Sequence, residues 1–446
     1  MPVRTQSPPG ERRPLSSILA LRRDPLGYLE GLAARYGDIA TIQVGSYRLF
    51  FLNHPDLIHE ALATRDASLV KGRILDQARD VFGQGLLTSE GDFHRKQRRL
   101  IQPAFHRRRI EAYADAMAAD AAAAAARWRH GETVDVATEM MRLTLRIVAR
   151  CLFSVDVEDD EAREVGGALD ALMAAFSTTV LGSGFIRKLP LPAFRRARRG
   201  VKTLDALVYR MIAERRRTGG GGGEDLLSLL MAAREEGEGS GMDDRQVRDE
   251  VLTLFLAGHE TTANALAWSW FLLANHPEAE ASFHAEIDSV LGDRLPGAAD
   301  LPSLPYNRKV FTESMRLYPP AWAISRRAAE PLTLGGYPVA AGSGVLASQW
   351  VMHRDPRYFE DPLAFRPERW TEEFESRLPK LAYFPFGGGP RTCIGMGFAR
   401  MEGVLLLATL GRRWRMRLVP GQRIEPSPRI TLRPKNGIRV TLERRG

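Results

Sequence analysis

Cys393 lies in the stretch Phe386-Gly387-Gly388-Gly389-Pro390-Arg391-Thr392-Cys393-Ile394-Gly395. The glycines free backbone N–H groups, and an apolar helix-like run begins at Met396. A thiolate there would meet the positive end of that helix, and both features lower a thiol's proton affinity and favour metal ligation. The other cysteine is Cys151, so a disulfide framework or a four-cysteine zinc site has no material to draw on. A second stretch, Ala257-Gly258-His259-Glu260-Thr261-Thr262, puts an acid and two threonines after a glycine inside a helical pattern. Glycine costs a helix about 1 kcal/mol relative to alanine, and threonine hydroxyls compete for backbone carbonyls. That local conflict predicts a kink of the sort found at functional sites.

A lone thiolate holding a metal implies a cofactor that supplies the remaining ligands. Haem does so, since the porphyrin gives four nitrogens and the protein only an axial ligand. Haem also carries two propionates, which need cationic or hydrogen-bonding partners when buried. His94 and Arg98 share a helical face at i, i+4.

The pattern Phe386-x-x-Gly389-x-Arg391-x-Cys393-x-Gly395 resembles the cysteine-ligand loop of the cytochrome P450 family, the haem-thiolate monooxygenases. Residues 257–262 resemble the family's oxygen-binding motif. The resemblance implies that Cys393 ligates the iron of haem b, that His94, Arg98, Arg391 and Arg326 hold the propionates, and that Thr261 and Glu260 organise protonation of bound O2. Splitting the O–O bond heterolytically requires two protons, which a hydroxyl, a carboxylate and water can relay. For Arg326 the neighbouring Arg327 competes for the inward position. Glu313 and Arg316, one helical turn apart, read alone as a surface ion pair; with Arg369 from Phe365-Arg366-Pro367-Glu368-Arg369-Trp370 they resemble the family's buried structural triad. The substrate pocket is expected at Phe82, Leu254, Ala257, Trp322, Ile324 and Ile430, mostly apolar, which suits a terpenoid, with fatty acids and polyketides as the other apolar classes.

The implied fold is mainly α with a smaller β region: a single large domain over 14–446, preceded by a flexible segment 1–13, with haem between a long central helix and the cysteine loop. Composition agrees with a soluble chain: of 446 residues, 44% are hydrophobic and 26% charged. The formal charge of +9 suits an acidic partner, but the basic residues carry no nucleic-acid motif. Arg95, Lys96, Arg99, Arg107, Arg108 and Arg109 form a basic strip. The family places such a strip on the cysteine side, where a separate ferredoxin or flavodoxin, working with its reductase, docks to deliver electrons. No apolar run approaches the roughly 20 residues of a membrane span, which with two cysteines reads as cytoplasmic. Two rivals remain: a peroxide-driven fatty-acid peroxygenase, against which the Glu260-Thr261 pair speaks, and a haem sensor or carrier, which would be expected to bear an output domain.

The elements around these motifs read clearly in places. Residues 40–52 predict two strands around Gly45-Ser46. Residues 92–217 are mostly helical, including the alanine run Ala121–Ala126. The glycine run 219–223 is a loop, with Asp225 as a helix cap; no Lys-Ser/Thr follows, so it is not a phosphate cradle. A helix is predicted from Asp243 to His276, stopped by Pro277. Helical periodicity continues to Tyr318, residues 331–346 are strand and turn, and residues 429–442 read as a hairpin around Asn436-Gly437.

Overall fold

Tyr47–Leu52 and Gly344–Ala347 are apolar strands nearly 300 positions apart that pair in parallel, Phe50 opposite Val345 and Leu52 opposite Ala347. They centre a six-stranded sheet ordered Gly10–Glu11, Ile39–Val44, Tyr47–Leu52, Gly344–Ala347, Ile324–Ala328 and Leu69–Lys71. The computed structural model describes residues 7–11, 14–44, 47–156, 159–179, 192–218, 225–232, 234–235 and 238–445. The turn at Gly45-Ser46 and the glycine run 219–223 lie outside them, whereas the strands expected on either side of Gly45-Ser46 pair antiparallel. Within the segment expected to be flexible, Gly10–Glu11 pairs with Thr41 and Ile42.

The chain forms two compact units. The first comprises Met1–Gln77 with Met315–Cys393, the second Ala78–Ser314 with Ile394–Gly446. The first holds the sheet and a core around Phe50, Leu52, Ile58, Val345, Met352 and Phe384. That core removes large apolar side chains from water at about 25 cal/mol per Å2.

The second unit is mostly helical. Its longest helix, Asp244–Asn275, starts where the Asp243 side chain accepts from the Gln246 N–H and stops before Pro277. The expected kink does not interrupt it. Gly258 instead allows close packing on the helix Val136–Phe153: a Cβ there would lie 3.0 Å from Val148 Cγ2. Nearby, Thr144 Oγ1 donates to the His259 carbonyl at 3.0 Å, and Phe153 stacks on Phe255. The alanine run belongs to the helix Ala114–Ala126, whose small buried face packs on the helix Met396–Arg413. Asp225 caps its helix as expected, accepting from the Ser228 N–H at 2.8 Å.

The predicted C-terminal hairpin is corrected. Leu432–Pro434 pairs with Pro426–Pro428. Arg439–Arg444 pairs instead with Trp414–Leu418 and Thr133–Asp135. The reason lies in its alternation: Val440 and Leu442 are both fully buried, and they require the apolar face offered by Trp414 and Met416.

Candidate active site

In the first unit Cys393 is exposed, and its N–H donates to the Phe386 carbonyl at 2.9 Å. Gly387 and Gly389 take left-handed φ values of 73° and 70°, which side chains resist. The loop lies against Glu60–Thr64, a five-residue π-helical turn, a distortion common at functional sites. Arg391 is held by Asp66, Nε to Oδ1 at 3.1 Å. Arg326 is the inward-facing arginine of its strand, 8% exposed, while Arg327 pairs with Asp76 at 3.2 Å. Buried Lys71 stands directly opposite Arg326 in the sheet register. Sequence reasoning missed both Asp66 and Lys71, because nothing local marks either. Trp322 and Ile324, expected at the pocket, are half-buried.

Arg316 and Arg369 meet at one carbonyl. Arg316 donates to the carbonyls of His353, Pro362 and Ala364, and Arg369 donates to those of Glu360, Asp361 and Ala364. Glu313 and Arg316 are fully buried, which rules out the surface-pair reading. Buried cations saturated by carbonyls fix a backbone path, here residues 353–364.

In the second unit, every residue from Val247 to Trp270 is buried except Ala257, Gly258 and Thr261. These fall at i, i+1 and i+4, one face of the helix, so the motif's threonine opens an accessible window in a buried rod. Thr261 Oγ1 donates to the Ala257 carbonyl at 2.7 Å. Glu260 points elsewhere and is 2% exposed. Its Oε1 accepts from Arg433 Nε at 2.8 Å and from the Thr431 hydroxyl. Arg433 and Thr431 come from the C-terminal hairpin that Pro426–Pro428 and Leu432–Pro434 do form, 173 and 171 positions away. Burial lowers the proton affinity of the adjacent His259, whose Nδ1 lies 2.6 Å from the Phe255 carbonyl.

His94 is buried on the helix Gly91–Ile101, with Nδ1 3.3 Å from Ser89 Oγ. Arg98, one turn on, is half-buried. Of the expected pocket residues in this unit, Phe82 and Leu254 are buried, whereas Ala257 and Ile430 keep accessible surface.

Glu402, on the helix after the cysteine loop, is fully buried. Burial pushes its carboxyl up to about 8, with the Thr262 hydroxyl acting the other way. The unfolded chain releases this proton near the ordinary value of 4.5. The fold therefore loses stability as pH rises from there toward 8. E402Q is expected to unfold several degrees higher than the parent at pH 8, with the gap closing by pH 4.5. Thermal unfolding across that range checks it.

The donor set fits haem. Among the described residues, no cluster of three His, Cys, Asp or Glu side chains is arranged to hold a metal ion. Cys393 offers an accessible thiol, whereas burial pushes the Cys151 thiol far above its ordinary value. Lys71 and Arg326, opposite each other on neighbouring strands, bring two buried positive charges together in the first unit, which suits a ligand carrying carboxylates. Among the described residues no helix is long and apolar enough to cross a membrane.

Residues 8–442 match the sequence profile of the family described as Cytochrome P450. The chain is 42% identical to cyclooctat-9-en-7-ol 5-monooxygenase of Streptomyces melanosporofaciens, over 94% of this chain and 91% of that protein. It is 40% identical to cyclooctatin synthase of the same organism, over 93% and 90%. It is 36% identical to pentalenene oxygenase of Streptomyces avermitilis, over 95% and 94%. With this match over nearly the whole chain, the protein belongs to the cytochrome P450 family: it is a monooxygenase that binds haem b through a cysteine thiolate.

Proposed function

We propose that Cys393 is that thiolate and that the protein hydroxylates a cyclic terpenoid, with electrons from a separate acidic ferredoxin or flavodoxin. The observation that carries the site assignment is the contrast between the two cysteines: a thiolate is the ligating form, and Cys393 is the accessible thiol. His94, Arg98, Arg326 and Arg391 hold the propionates, and Glu313, Arg316 and Arg369 support the fold beneath the cysteine loop. When bound, haem supplies the activation of O2 and the oxidation of the C–H bond. Thr261 presents its hydroxyl at the helix window, where it holds a proton for oxygen reduction. Glu260, one residue earlier, replenishes that proton from water. Trp322 and Ile324 in the first unit and Ala257 and Ile430 in the second each offer accessible apolar surface for the substrate, and buried Phe82 and Leu254 are assigned to the same role.

The terpenoid class rests on the names of the relatives, one acting on cyclooctat-9-en-7-ol and one on pentalenene. The donor assignment rests on charge: Arg95, Arg99, Arg107 and Arg108 are exposed on one short stretch of chain, where an acidic protein is steered. A cytoplasmic location follows from that donor. The haem-loaded protein should show a spin-state shift of its Soret band on titration with cyclooctat-9-en-7-ol or pentalenene, at micromolar midpoint. A shift with palmitic acid and none with either terpenoid would overturn the substrate class.

A further inference from the structure

Glu260 is a buried acid whose two oxygens differ. Oε1 accepts from both Arg433 and Thr431. Oε2 is buried and has no hydrogen-bond partner among the described residues. The Thr431 hydroxyl in turn accepts from Asn264 Nδ2 at 3.3 Å. Arg433 spans from this interior to the surface, where its Nη1 meets Asp170 Oδ1 at 2.6 Å; the Asp170 side chain is 58% exposed. The hairpin carrying Arg433 is itself tied to the long helix, since Trp268 Nε1 donates to the Leu432 carbonyl at 3.0 Å.

We propose that Arg433, anchored from outside by Asp170, is the positioning residue for Glu260: with Thr431 it engages Oε1 and leaves Oε2 as the oxygen that exchanges the proton. This rests on the reading of Glu260 as a proton relay. In each cycle Oε2 takes one proton from water and passes it on toward the site of oxygen reduction, which returns the carboxylate to its starting state. Without Arg433 the carboxylate loses the partner that fixes which oxygen is engaged, so proton transfer through Oε2 slows. The other charged or titratable groups around Glu260 are His259, kept neutral by burial, and Asp170, whose charge Arg433 shields.

The test uses haem-loaded parent, E260Q, R433Q, R433K and D170N. A surrogate bacterial ferredoxin with its reductase drives oxygen consumption, which is followed from pH 5.5 to 9 in H2O and D2O. R433Q is expected to lose roughly 10²-fold in rate at pH 7, the scale of a misplaced catalytic group. Its solvent isotope effect should rise. R433K should recover part of the rate, and D170N should show a smaller loss of rate with a smaller rise in the isotope effect. If E260Q matches the parent, the proton-relay reading of Glu260 fails. If E260Q is impaired but R433Q keeps the parent's rate and isotope effect, the role given to Arg433 is wrong. If R433Q does not hold haem, exposed Asp170 decides the matter: a parental rate and isotope effect in D170N overturn the proposal.

Discussion

Cys393→Ala is expected to abolish monooxygenase activity and to remove the red-shifted Soret band of the reduced, carbon monoxide-treated protein, while Cys151→Ala leaves both intact. The ligand is a thiolate, so the proton affinity of each thiol decides the assignment. Cys151 lies inside the helix Val136–Phe153 and is 3% exposed. Burial is the largest influence on its thiol, and the nearby Glu402 and Asp120 push in the same direction. Cys393 is instead exposed. Its backbone N–H is already paired to Phe386, and it stands three positions before the first turn of an 18-residue helix, where the unpaired N–H groups carry partial positive charge. The sulfur is thus accessible on a loop of fixed path. Survival of the red-shifted band in Cys393→Ala would contradict the assignment, and its loss in Cys151→Ala would relocate the ligand.

What could be read in the sequence was local. The cysteine loop, the Gly258–Thr262 stretch and the His94/Arg98 spacing lie within a few residues each, and helix boundaries follow neighbours such as Asp243 and Pro277. The choice between Arg326 and Arg327 needed the sheet, because strand alternation says that one faces inward but not which. Partners distant in sequence were not legible. Asp66 and Arg391 are 325 positions apart, and Glu260 and Arg433 are 173 apart; no periodicity links such pairs. The Asn436-Gly437 turn signal was sound, since Gly437 does take a φ of 72°. The strands beside it still chose other partners, because burying Val440 and Leu442 against Trp414 and Met416 outweighs a local pairing. The same long-range packing hid the orientation of Glu260, which adjoins Thr261 in sequence yet turns toward the C-terminal hairpin.

Close approach of backbone to backbone, also invisible in sequence, makes Gly389→Ala the second large effect. Haem content should fall well below one per chain, and the melting temperature should drop. Two costs combine at this position. A left-handed φ of 70° disfavours any side chain by about 1–2 kcal/mol. In addition, a Cβ at Gly389 would stand 2.0 Å from the Leu62 carbonyl oxygen, inside any tolerable contact. That oxygen belongs to the π-helical turn, not to a flexible side chain, so the loop itself must move, at a further cost of about 1–3 kcal/mol. Gly387→Ala separates the two costs. Its φ is 73°, nearly the same, but its Cβ would meet only Ile324 Cδ1 at 3.4 Å, an ordinary contact. Gly387→Ala should therefore keep most of its haem and lose only the conformational part. Haem-to-protein ratios and melting curves for the two variants, measured side by side, distinguish a loop held by glycine flexibility alone from one seated on Leu62. Equal haem retention in both would show that the seat does not matter. A sharper loss in Gly389→Ala would mean that the turn at Glu60–Thr64 fixes the position of the cysteine four residues on, at Cys393.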